Sequence, residues 1–378
     1  MNNNLLSISI KLKRINSILI FLFIISFSIT LSAPIITYGT QIFLLLPLVF
    51  FILIVNGGFK LNKLFYIIFL GLFIFTITYI QSTYLLYKEI LWLQTVRIYF
   101  WIACCIIVYD SIIKLPISII QNCIEKIILI FSISVILQSV IYYLFNFVID
   151  YSIFLGGTDS RMSYNNMFRP SGLTSEPAIT SGIIISLLSL YYLFYKKLNI
   201  IYIIALIACF LSLSTIGIIL ASIFFIIAFS SNRNILLYLM LIPLIVFILA
   251  QELTYRYSNF VNGLDNSNNI KLEVAKTFFD SKEIFWGGFG FIGKSASAPN
   301  FYEALYDSTF LGNTFIIFGI PIGIIILILF VLFVFKLNLS LKEKSLIFLS
   351  LLKTSSPTFS FFNVFILLLI VISKKRKA

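Results

Sequence analysis

The sequence predicts an all-α polytopic membrane protein with about 12 transmembrane helices and two long external segments. Three observations predict it. The chain of 378 residues is 60% hydrophobic and 11% charged, where a soluble protein carries roughly 25% charge. Apolar runs of roughly 20 residues, the length that crosses a bilayer core, recur from end to end. The runs are continuous and do not alternate apolar with polar, which excludes a β-barrel.

The spans read, in order, 15–33, 37–55, 64–82, 91–109, 127–149, 177–195, 198–212, 214–230, 234–251, 308–335, 343–354 and 357–373. The first follows Lys11, Lys13 and Arg14. It is read as an uncleaved span because another follows at once, a cleaved signal peptide being the alternative. A tight turn near Ser212-Leu213-Ser214 separates the seventh and eighth. The eleventh is short and contains Lys353, so it is expected to be re-entrant or tilted. No internal repeat is evident, which gives a repeat-built transporter no support.

The net charge of +13 follows topology and does not point to a nucleic acid. With the N-terminus in the cytoplasm, Lys60, Lys63, Lys114, Lys126, Lys196, Lys197, Arg233, Lys336, Lys342, Lys344 and the terminal Lys374–Lys377 stretch all fall inside. Both termini are then cytoplasmic. Segments 150–176 and 252–307 are external and hold most of the 14 acidic residues. The chain has no histidine, which excludes a histidine base, a histidine metal ligand and a Ser-His-Asp arrangement. Cys104, Cys105, Cys123 and Cys209 lie in or beside apolar runs without metal-site spacing, and are read as packing residues.

Polar chemistry concentrates at the hinge Phe168–Gly182. Pro177 suits the first position of a helix, and a following proline favours the extended conformation at Glu176. The helix N-terminus, with Arg161 and Arg169 upstream, suits a phosphate group. Arginine's planar fork grips phosphate oxygens in pairs and keeps its proton. Glu176 and Asp307 each stand at the outer start of a membrane helix. Either could cap that helix or act as a general base. Arg97 lies inside the fourth apolar run, where it either snorkels outward or lines an external cavity that meets an anion. Arg256 and Lys271 are the further external cations of interest. The second segment reads as a helix around Lys271–Phe279, then the glycine turn Trp286-Gly287-Gly288-Phe289-Gly290, which is no P-loop because no Gly-Lys-Ser/Thr follows.

Three stretches, in this order, resemble the bacterial O-antigen or oligosaccharide repeat-unit polymerases of the O-antigen ligase/polymerase group. They are Arg169-Pro-Ser-Gly172-Leu-Thr-Ser-Glu176-Pro177, the turn Trp286–Gly290 with Phe291, and Asp307-Ser308 followed by Phe310-Leu311 and Gly319-Ile-Pro-Ile-Gly323. The likeness covers most of the chain. Lys271 stands where the family often has an arginine. The ligase branch commonly has a histidine near the position of Asp307, and this chain has none, so the resemblance favours the polymerases. It implies a GT-C-like fold in the bacterial cytoplasmic (inner) membrane and an undecaprenyl-diphosphate-linked glycan substrate. The reaction joins repeat units into O-antigen or capsule on the outer face. Glu176 or Asp307 would then be the base, and Arg169, Arg161, Arg256, Lys271 and Arg97 would hold the diphosphate. No metal or other cofactor is expected. The expected partners are the lipid-linked glycan, membrane lipid and a chain-length regulator protein, with no nucleic acid. The rival readings are a lipid-linked oligosaccharide flippase or transporter, and an O-antigen ligase.

Overall fold

Helices account for most of the described backbone, as continuous apolar sequence demands when no water is present to satisfy amide groups. The computed structural model describes residues 2–29, 35–56, 60–154, 160–164, 167–229, 250, 254, 258, 261–262, 266–293, 297–305, 308–354 and 356–377. Arg256, Asp307 and almost all of the ninth expected span, 234–251, lie outside the described residues.

The helices are α1 (Asn2–Ser28), α2 (Ile35–Asn56), α3 (Asn62–Ser82), α4 (Lys88–Lys114), α5 (Ile117–Phe145), the single turn α6 (Tyr151–Phe154), α7 (Pro177–Tyr192), α8 (Ile200–Leu211) and α9 (Thr215–Phe229). After them come α10 (Asn266–Asp280), α11 (Lys282–Gly287), α12 (Phe310–Lys336), α13 (Leu341–Ser350) and α14 (Ser360–Lys377). Among the described residues, α3, α4, α5 and α12 are long and apolar enough to cross a membrane. The shorter apolar helices α7, α8 and α9 and parts of α1 and α2 accompany them. This is an all-α membrane protein, with a two-residue hairpin as its sheet among the described residues.

The middle of the bundle is α7. From Thr180 to Tyr192 every side chain is buried, as expected for a helix that is apolar on all sides. It packs against α5, α8, α9, α13 and α14. Small residues let the neighbours come close. Ser181 Oγ meets Ser212 Oγ at 2.9 Å, Ser186 Oγ meets Thr354 Oγ1 at 2.9 Å, and Ser350 Oγ donates to Ser189 Oγ at 2.9 Å.

Two of the expected spans are not continuous rods. The stretch 308–335 reads as one rod, but α12 breaks at Gly319 (φ 73°, ψ 172°). Its two arms fold back on each other. The Phe310 and Phe330 ring centroids are 4.5 Å apart, and a Cβ on Gly323 would lie 2.6 Å from Phe315 Cδ1. In a straight helix each pair would be separated by more than two turns. The break is held by the glycine turn Trp286–Gly290. Phe289 N donates to Ile316 O at 2.7 Å and Gly290 N to Ile317 O at 3.0 Å. Gln81, near the end of α3, donates to both Gly287 O and Ile317 O at 2.8 Å. The Tyr84 phenol, its pKa pushed up by burial, donates to Gly288 O at 2.7 Å.

The second case is 343–354, expected to be re-entrant or tilted. Its helix α13 has 10 residues, about 15 Å of rise against a core of about 30 Å. The chain then leaves the helix before α14 begins at Ser360. Leu351 O, in this link, accepts Phe310 N at 3.1 Å, so the start of α12 meets the end of α13.

At the opposite end of α13, Glu343 forms a capping box with Ser340. Its carboxylate is 1% exposed and meets Lys196 Nζ at 3.1 Å and Arg376 NH1 at 3.0 Å. The contacts Lys63–Asp110, Lys114–Asn56 O and Lys374–Tyr109 gather further basic residues at one end of the bundle.

A Cβ at position 319 would collide with the Trp286 carbonyl oxygen, and the backbone there has positive φ. Gly319→Ala therefore combines strain with a backbone clash. It should cost about 3 kcal/mol or more, read as a lower unfolding midpoint in detergent. An unchanged midpoint would mean that the two glycine turns do not interlock.

Candidate functional site

The hinge before α7 is built by the end of α5 and the segment that follows. Asn146, in the left-handed conformation (φ 52°), ends α5. Asp150 then organises the loop: Oδ1 accepts Ser152 N at 2.8 Å and Ser160 Oγ at 2.9 Å, and Oδ2 accepts Ser160 N at 2.7 Å. A hairpin pairs β1 (Ser163–Tyr164) with β2 (Met167–Phe168). It is seated on α5 by the Phe168 ring, which stacks on Tyr142 with centroids 4.1 Å apart. Arg169 N donates to Met162 O at 2.7 Å and Arg161 N to Ser175 O at 2.8 Å. The two arginines thus flank the hairpin beside the Glu-Pro corner.

Gln138 on α5 is the residue that locks this arrangement, and the sequence reading missed it. It is fully buried. Its Oε1 accepts Gly172 N at 2.7 Å, while Nε2 donates to Ile149 O at 2.9 Å and lies 3.6 Å from Met162 Sδ. One amide therefore joins α5, the loop and the hinge. The signal was available, because an amide inside an apolar span marks an interior contact. Gly172 has φ 58°, and a Cβ there would sit 2.9 Å from Ser134 Oγ and 3.0 Å from Val135 Cγ2. Only glycine suits both the conformation and the close approach.

The corner itself rests on hydroxyls. Thr174 Oγ1 meets Glu176 O at 2.8 Å and Thr180 Oγ1 at 2.6 Å, and Thr180 Oγ1 also donates to Ser171 O. Glu176 is extended (φ −145°, ψ 143°), with Pro177 opening α7 as its sequence suggests. The Glu176 side chain makes no cap bond. Its Oε1 accepts Arg161 NH1 at 2.9 Å instead. The two side chains are 63% and 29% exposed, so the pair contributes about 0–1 kcal/mol. The carboxylate is held in place at little gain in stability, on a corner fixed by other bonds.

The other expected site residues divide into two places. Arg97 on α4 is half-buried. Its Cζ lies 4.8 Å from the ring centroid of Trp101, four residues on, and its Nε and NH1 atoms are buried. Gly293, three residues past the glycine turn, abuts Gln94, three residues before Arg97. Lys271 is half-buried in the second turn of α10 and does not open the helix. Helix α10 belongs to a separate apolar cluster of Val274, Phe278, Phe289, Phe301 and Leu305 with Leu85, Tyr87 and Leu91 of the α3–α4 corner. Next to the undescribed Asp307, Thr309 is the N-cap of α12 and accepts Gly312 N at 3.4 Å.

Compared with protein-family models, with curated proteins and with solved structures, the chain matches none.

Proposed function

We propose that the chain elongates a surface polysaccharide by joining polyprenyl-diphosphate-linked repeat units. The bundle would have a GT-C-like arrangement of about twelve crossings in a bacterial cytoplasmic membrane, with both termini cytoplasmic and the α7 corner facing outward. One observation carries the reading: Glu176 is free of the helix cap and held by Arg161, at the start of the central helix, with Arg169 on the other flank of the two-residue hairpin. A diphosphate arriving there competes for Arg161, as phosphate oxygens suit its fork. Release of that contact leaves Glu176 to accept the proton of the attacking sugar hydroxyl. The new bond forms at the anomeric carbon, and the bond to the carrier diphosphate breaks. The departing anion is then stabilised by Arg169, Arg161 and the N-terminus of α7.

A second reading has its own support. The folded-back α12 and the interrupted α13–α14 segment meet inside the bundle, and transporters use discontinuous segments of this kind. Purified protein in liposomes, supplied with lipid-linked repeat units, separates the two. A ladder of longer glycans is expected, and movement across the bilayer without elongation would establish a flippase instead. Impermeant thiol reagents should label Lys276→Cys from outside and Lys344→Cys only from inside. The reverse pattern would remove the site from the outer face.

A further inference from the structure

We infer that α10 and α11 lie along the bilayer surface, with the aromatic row Phe279, Phe285 and Trp286 set among the glycerol and upper acyl groups of the lipid. This goes beyond the polymerase reading and does not depend on it. The starting point is a helix that is apolar on two sides. Ile270, Val274 and Phe278 of α10 pack into the cluster with Leu85, Tyr87 and Leu91. Leu272 and Phe279, about two turns apart on another face, are 55% and 68% exposed. A helix that only had to cover the cluster would carry polar residues there.

The exposed rings join into a row. The centroids of Phe279 and Phe285 are 6.2 Å apart, and those of Phe285 and Trp286 are 5.6 Å apart. Trp286 is 56% exposed. Behind the row lies the buried Phe278, 5.8 Å from Phe285. The row is therefore held from the protein side and open on the other. A contiguous apolar patch of this kind marks an interaction surface.

Its level in the bundle identifies the occupant. The spanning helix α3 exposes Phe65, Phe69, Leu72, Phe73, Tyr79 and Ile80, a stripe at helical spacing that faces lipid. The stripe stops at Ile80. Just beyond it, Gln81 and Tyr84 hold the carbonyls of Gly287 and Gly288. Trp286 is thus tied to the point where the lipid-facing surface of α3 ends, which is the ordinary place of a membrane tryptophan. Leu86, 89% exposed in the corner after α3, extends the same apolar surface. Lys276 is exposed three residues before Phe279, where its stem can lie on the row and its ammonium can reach a headgroup phosphate. A sugar also stacks on rings, but Leu272 and Leu86 suit hydrocarbon.

The test uses the full chain in phosphatidylglycerol–phosphatidylethanolamine liposomes. Fluorescence of the parent minus that of Trp286→Phe isolates Trp286 from Trp92 and Trp101. Lipids spin-labelled near the glycerol should quench this difference about twofold more than lipids labelled at the chain end, and more than aqueous iodide does. The indole should then lie about 5–10 Å into the headgroup–acyl boundary. Nitroxides on Leu272→Cys and Phe279→Cys should collide more with oxygen than with a water-soluble nickel complex. One on Glu273→Cys, at the polar flank, should do the reverse. The four native cysteines are buried and leave the label to the new one. Stronger quenching by iodide, or a nickel-accessible Phe279→Cys, would overturn the proposal. So would shielding from lipid and water alike, which would put a second copy of the chain on the row. Loss of lipid quenching when an oligosaccharide is added would make the row a sugar platform instead. None of these signals requires elongation, so this proposal and the polymerase reading fail separately.

Discussion

Arg169→Ala should lower glycan elongation by about two orders of magnitude at matched protein level, the scale seen when one preorganised donor to a developing charge is removed. The backbone of Arg169 is fixed by its bond to Met162 O. The hairpin is fixed by the Tyr142–Phe168 stack and by Gln138, so truncating the side chain leaves the hinge standing. Arg169→Lys should recover only part of the loss, because one ammonium does not reproduce a two-pronged grip. Lys282→Ala, an exposed cation on α11 away from the hinge, should be near neutral. If Arg169→Ala elongates as the parent does, the hinge is a structural turn, and the diphosphate must be sought around Arg97 and Arg256.

Glu176→Gln should abolish measurable elongation while the protein stays folded, general-base loss being typically about 10²–10⁴-fold. The amide keeps the shape of the side chain and removes its basic oxygen. Folding should survive because the lost ion pair contributes only about 0–1 kcal/mol. The corner itself is held by Thr174 and Thr180 through hydroxyl and backbone bonds. Thermal unfolding in detergent should therefore be close to that of the parent. Asp307→Asn is the companion variant. Normal elongation by Glu176→Gln passes the role to Asp307, and normal elongation by both removes both carboxylates from the mechanism.

The opening of α7 was legible because its determinants are local. Pro177 suits a first helical position, Glu176 precedes a proline, and the structure has both as expected. What the Glu176 side chain does was not legible. Capping and base chemistry both fitted the sequence, and the choice turns on Arg161, 15 positions away and brought near by a hairpin two residues wide. Arg97 shows the same limit. The sequence left the direction of its side chain open, and the structure sets its Cζ 4.8 Å from the ring centroid of Trp101, four residues on. Lys271 was placed in the right helix, which begins five residues earlier than its position suggested.

By itself, the sequence determined that this is a helical membrane protein and that a polar corner opens its sixth apolar run. Apolar length and proline geometry act within a few turns, so a linear reading captures them. Only the tertiary structure decided that α12 folds back at Gly319. The run 308–335 is apolar throughout, and hydropathy records transfer into lipid, not direction. The break depends on Gln81 and the Trp286–Gly290 turn, and Gln81 lies 236 positions from the carbonyl it binds. Hydrogen bonds across such separations satisfy backbone groups that no local pattern announces, and they also set where the α13–α14 link meets α7.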